Sequence, residues 1–164
     1  MLNPLEASVK KLIKEAFEGP PIPIKESWFT NTEPNSGIFG ALNGVSAEEA
    51  SISVYDVTLA AHVDHLRYHM WGTNELLTTG TYPKMNWGKS WEINVVNELQ
   101  WNRIQQELRD EYFRIVEAFE FISWNEYLAN EIIGSLAHST YHLGAIRQIL
   151  KVIKRRETSH NRTN

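Results

Sequence analysis

The sequence predicts an all-α protein, a four-helix bundle, and three observations carry that prediction. Apolar residues recur at spacings of three and four along four separate stretches of the chain. No stretch makes a convincing strand, with apolar and polar residues alternating at the period of two that a half-buried strand needs. Breaker residues separate the helical stretches at Gly19-Pro20-Pro21, Thr78-Thr79-Gly80 and Ser123-Trp124-Asn125.

The first helix is predicted over Pro4 to Glu18, where Leu5, Val9, Leu12, Ile13 and Phe17 form one apolar stripe that stops at Gly19. From Pro20 to Ala50 the composition turns to Pro, Asn, Gly, Ser and Thr, and the patch Ile38 to Leu42 suits a turn or two of helix. Excursions of this length are caps, lids or crossovers. The second helix spans Val54 to Leu77, with Val57, Ala60, Ala61, Leu66, Met70 and Leu77. A loop from Thr81 to Trp91 follows, holding Pro, Gly and two Trp. The third helix spans Asn94 to Ile122, its stripe being Trp101, Ile104, Leu108, Ile115, Phe119 and Ile122. The fourth spans Glu126 to Lys154, with Leu128, Ile132, Leu136, Leu143, Ile146, Ile149, Leu150 and Ile153. Residues 1–155 thus read as one domain and 156–164 as a flexible polar tail.

Composition narrows the function classes. A chain of 164 residues is one domain, and a domain of that size buries roughly 70% of the surface of its unfolded chain. The net charge is −4 with both signs interleaved, so no basic face points to nucleic acid or to an anionic membrane. The basic run Lys151 to Arg156 complements the dipole at a helix C-terminus. There is no cysteine, which excludes disulfides, thiolate ligands and a cysteine nucleophile. No long apolar run and no signal-peptide core occur, so the sequence predicts a soluble, cytoplasmic protein. The six Trp fill a core or line a pocket.

Five of the six histidines fall on two predicted helices: His62, His65 and His69 on the second, His138 and His142 on the fourth. Residues four apart share a helix face with Cβ atoms about 5–6 Å apart, so His138 and His142 can reach one ion. Ser135, His138, His142, Ala145 and Ile149 make a stripe beside the apolar one, which turns both imidazoles inward. Two buried imidazoles cost free energy unless satisfied, and a shared metal satisfies both. The sequence takes His62 as third ligand, because it follows Thr58-Leu59-Ala60-Ala61 in the most apolar part of its helix. His65 and His69, near Asp64, Arg67 and Tyr68, are read as rim groups, and His160 as solvated. Three neutral imidazoles suit Zn, Ni, Fe or Co and leave a position open for water or a small-molecule substrate. Such an ion lowers the pKa of bound water toward about 7 and acts as a Lewis acid. Trp87, Trp91 and Trp101 are expected to line the cleft, and Asp64, Glu98, Glu131 and Tyr141 are candidate acids or bases that spacing does not rank.

The segments Ala61-His62-Val63-Asp64-His65-Leu66 and Ala137-His138-Ser139-Thr140-Tyr141-His142-Leu143-Gly144-Ala145-Ile146 resemble the DinB-like (YfiT-like) proteins. The loop Asn86-Trp87-Gly88-Lys89-Ser90-Trp91 is similar to a recurring feature of one branch. The resemblance implies an up-down-down-up four-helix bundle with a long crossover between helices one and two, a divalent-metal site at His62, His138 and His142, and a homodimer. It also implies thiol S-transferase or isomerase chemistry on a low-molecular-weight thiol cofactor. The family's usual Gly-Gln is Gly144-Ala145 here, so a role for that Gln does not transfer. Two functions follow: a metal-dependent hydrolase or thiol S-transferase, or a non-catalytic metal-binding or dimerisation bundle with a stress-related role.

Overall fold

The computed structural model describes residues 3–160, with side chains through Arg156. The fold is mostly helical, with one small two-stranded ribbon. Helix α1 (Pro4–Glu18) is fixed at its start by a reciprocal cap: the Asn3 side chain accepts from the N–H groups of Leu5 and Glu6, and Glu6 accepts from the N–H of Asn3. Pro4 has no N–H to leave unsatisfied there. The helix ends at Gly19, whose φ of +81° and approach to Ser36 (a Cβ would lie 2.6 Å from its backbone nitrogen) both exclude a side chain.

The crossover carries two short helices, α2 (Ile38–Leu42), where the sequence places a turn or two, and α3 (Ala47–Ala50). Its first half is strapped down by two buried or half-buried charges. Glu15 Oε1 accepts from Ser27 Oγ at 2.7 Å, Trp28 N–H at 2.7 Å and Phe29 N–H at 2.9 Å. Arg147 donates to the carbonyls of Phe29, at 3.1 Å, and Ser36. Burial pushes the Glu15 carboxyl up, but these hydrogen bonds to its charged form outweigh it and hold the carboxyl below the usual range.

Strands β1 (Ser53–Val54) and β2 (Val57–Thr58) then pair antiparallel, Val54 opposite Val57. Tyr55 and Asp56 between them have φ of 53° and 63°, the two left-handed residues of a type I′ hairpin turn. This ribbon replaces the first turn of the helix predicted from Val54. Thr58 ends the ribbon and caps α4 (Leu59–Thr79) by accepting from the Ala61 N–H. Helix α5 (Glu98–Ala118) and helix α6 (Glu126–His160) complete the fold. The former is shorter than predicted at both ends, its start set by the Asn97 cap with Gln100. The latter runs past Lys154 through residues predicted as a flexible tail. It is described as far as His160, whose side chain lies outside the described residues.

Helix α4 is the central element. It packs on α5, on α6 and on the loop that follows it, and Leu59 to Leu66 are buried on every side. Phe17, Phe39 and Tyr112 make an aromatic knot with ring centroids 4.9–5.5 Å apart. Among the described residues no helix is long and apolar enough to cross a membrane.

Candidate metal centre

The packing of α4 on α6 brings His62, His65, His69, His138 and His142 into one cluster. His138 and His142 have ring centroids 4.5 Å apart, and His65 lies 5.2 Å from the first and 5.1 Å from the second. One ring nitrogen from each of His65, His138 and His142 lies within 4.8 Å of the others, close enough to share a metal ion. His69 stacks on His138 at 4.1 Å. His62 meets His142 through their Nδ1 atoms, 3.0 Å apart. The convergent trio therefore has His65 in the position where the sequence puts His62, and His65 is buried rather than on the rim.

The loop between α4 and α5 explains why His65 is oriented. Its 3-10 turn, Lys89–Trp91, lies against α4. Ser90 Oγ donates to the Trp87 carbonyl at 2.7 Å and meets His65 Nδ1 at 2.7 Å. A serine hydroxyl has one proton, and a carbonyl can only accept it, so His65 must donate from Nδ1. That tautomer leaves Nε2 with a bare lone pair. Fixing a ligand imidazole through its far nitrogen is how proteins orient metal ligands. Trp91 stacks on the other side of this ring at 4.1 Å and 21°. The loop is pinned further by the Tyr68 hydroxyl, which accepts from the Asn86 N–H at 2.9 Å, and by Trp87 against Tyr68.

His62 does the corresponding work for His142. Between two Nδ1 atoms one must donate and one accept. If His142 donates, its Nε2 carries the free lone pair, and that nitrogen has no hydrogen-bond partner among the described residues. The same holds for Nε2 of His138 and of His69. Three buried, orphaned imidazole nitrogens in one cluster are costly, since each forfeits its hydrogen bond to water. An ion shared by His65, His138 and His142 would remove that cost at His138 and His142, though not at His69, and the donor set fits one.

The charge state agrees. Burial lowers the pKa of all five rings, and at His65, His69 and His142 neighbouring rings add to it, taking His65 to about 4 and His69 to about 3. Desolvation disfavours the imidazolium, and a second cation beside it is worse. At neutral pH the rings are uncharged and able to donate lone pairs.

Other residues singled out by the sequence have different employment. Trp87 and Trp91 do border the histidines, but Trp101 is fully buried in the core and donates to the Val45 carbonyl at 2.7 Å. Its place at the head of the Ile104–Leu108 stripe was the signal for that. Asp64 is buried and pairs with Arg67 at 2.7 Å. Glu98 accepts from the Ala47 N–H and so caps α3. Tyr141 is two-thirds exposed, its ring edge-on to His142 at 5.2 Å. Glu131 acts electrostatically on Tyr82, whose hydroxyl is pushed up chiefly by burial. Ser90 is a site residue that no spacing in the sequence singles out, because it meets His65 only through the loop.

Comparison of the chain with protein-family models, with curated proteins and with solved structures finds no match.

Proposed function

We propose that the protein holds a divalent metal ion between His65, His138 and His142, inside a four-helix bundle of α1, α4, α5 and α6. We propose further that this centre serves hydrolase or thiol S-transferase chemistry of the kind the DinB-like resemblance implies. The observation that carries the first statement is the convergence of ring nitrogens from His65, His138 and His142, two of which, the Nε2 atoms of His138 and His142, are buried with no hydrogen-bond partner among the described residues. Nitrogen-only donors favour Zn, Ni, Fe or Co over Mg or Ca.

When bound, such an ion supplies Lewis acidity and lowers the pKa of a water or thiol beside it. The chain's own residues do the rest. Ser90 holds the His65 tautomer, and His62 holds that of His142. Trp91 shields the cluster from water, which strengthens every electrostatic interaction within. Trp87, 42% exposed at the outer edge of the loop, is placed to meet a small-molecule substrate or thiol cofactor.

A Co(II)-loaded protein tests the catalytic part of the proposal. Adding a small thiol is expected to produce a sulfur-to-cobalt charge-transfer band and to shift the visible bands. A spectrum indifferent to thiols and to competing anions contradicts an open position. It would favour the second reading, a structural ion in a non-catalytic bundle, which the solvent-shielded ring nitrogens support. The homodimer implied by the resemblance belongs to the same proposal. Sedimentation at twice the 18.9 kDa chain mass is the outcome it predicts, and sedimentation at the chain mass would contradict it.

A further inference from the structure

A second site lies on the strap side of α1, built by none of the histidines. Where the chain leaves α1 at Gly19, the segment Pro20-Pro21-Ile22-Pro23-Ile24 runs back beside the helix and leaves a groove of about 510 Å³. Ala7 and the stems of Lys11 and Lys14 form its helix wall, and Pro20, Pro21 and Ile22 form the strap wall. That volume is in the range of small-molecule sites, about 300–1,000 Å³, and the lining is mainly apolar with a few charged groups, as such sites are. We propose that this groove binds a long-chain carboxylate, with its alkyl chain along the prolines and its head at Lys11 and Lys14.

The charges around the groove select the head group. Five charged side chains line it. Lys10 is paired with Glu120 at 2.5 Å. Glu15 turns its Oε1 inward to Ser27, Trp28 and Phe29, and Glu18 turns its Oε1 to the Tyr112 hydroxyl. Lys11 and Lys14 are exposed and have no ion pair among the described residues. They lie three apart on one helix face, so both ammonium groups reach one anion while their stems stay along apolar surface.

The strap selects the tail. Pro20, Pro21 and Pro23 have no N–H, and the Ile24 N–H is committed to the Thr32 carbonyl at 3.0 Å. A peptide docking by main-chain pairing therefore finds almost no donors, whereas an alkyl chain needs none. Ile22 is 65% exposed beside the groove, a large apolar side chain that a bound chain would cover.

Calorimetric titration of the whole protein with octanoate, decanoate and dodecanoate, below their micelle concentrations, tests this. Saturable one-to-one binding is expected, tightening up to about fourfold for each added methylene. The Lys11→Ala/Lys14→Ala double variant, altered only at exposed positions, is expected to bind dodecanoate about tenfold more weakly, and the wild type is expected to prefer dodecanoate to dodecanol. No saturable binding, equal affinity in the double variant, or displacement by an acidic peptide but not by dodecanoate overturns the proposal. So does binding that persists in the double variant and disappears in His138→Ala, because the carboxylate would then sit on the histidine centre.

Discussion

Two buried polar clusters among the described residues are built on opposite terms. At Glu15 one carboxylate oxygen receives three donors from the strap, and the cluster closes on itself. At the histidines five rings crowd together and three of their nitrogens find nothing. The first arrangement is complete without help, since its hydrogen bonds offset the cost of burial. The second stores an unmet demand. Buried polarity alone therefore does not mark a functional site, nor does one unsatisfied group such as Trp124 Nε1; several unsatisfied groups crowded together do.

The widest separation of the two clusters comes from removing the ion. A chelator is expected to lower the stability of the wild type by up to about 4 kcal/mol if the ion is present at a thousand times its dissociation constant. It should do nothing to His138→Ala, and thermal unfolding with and without chelator measures both. Glu15→Ala has the reverse profile: a loss of about 2–3 kcal/mol from broken charged hydrogen bonds, with metal content unchanged. If Glu15→Ala also emptied the metal site, the two clusters would not be independent.

Smaller effects sharpen the histidine side. Ser90→Ala removes the acceptor that fixes His65, and metal affinity is expected to fall about 10–100-fold, as it does when such supporting partners are lost elsewhere. Titration with Zn against a competing chelator reads this directly. Acidification distinguishes the clusters by their pH windows. The folded-state pKa of His65 lies near 4 against an ordinary value of 6.5. Between those values the unfolded chain binds the proton and the folded chain does not, so metal-free stability is full above the window and falls as pH drops through it. Glu15 is also depressed, from 4.5, so its contribution is present above that value and is lost only below it, as pH falls through the folded pKa. Chemical denaturation of the metal-free protein across this range should show the first loss in wild type and a smaller one in His65→Ala, where the four remaining depressed rings still contribute.

Much of the fold could be read from the chain because its signals are local. The first helix ends where predicted, since Pro4, Gly19 and the apolar stripe between them all lie in sequence. The hairpin at Tyr55 and Asp56 was hidden, because both residues take left-handed φ without the Asn-Gly pair that announces a type I′ turn. The histidines divide in the same way. Their meeting followed from the spacing of His138 and His142 and from a second histidine-rich helix. The choice between His62 and His65, three apart on one face, depends on how α4 is turned against α6. It depends also on Ser90, which reaches His65 from 25 residues away. Neither is written in a local pattern. Trp101 shows the converse, since its register with Ile104 and Leu108 already marked it as core.

The central claim is that an ion is held by His65, His138 and His142 with His62 behind His142. Elemental analysis of wild type, His65→Ala and His62→Ala, each purified without chelator and reloaded with Zn, tests it most directly. The account predicts one ion per chain in the wild type, none in His65→Ala, and a full but more weakly held ion in His62→Ala. An ion retained in His65→Ala and lost in His62→Ala would contradict it and return His62 to the ligand set.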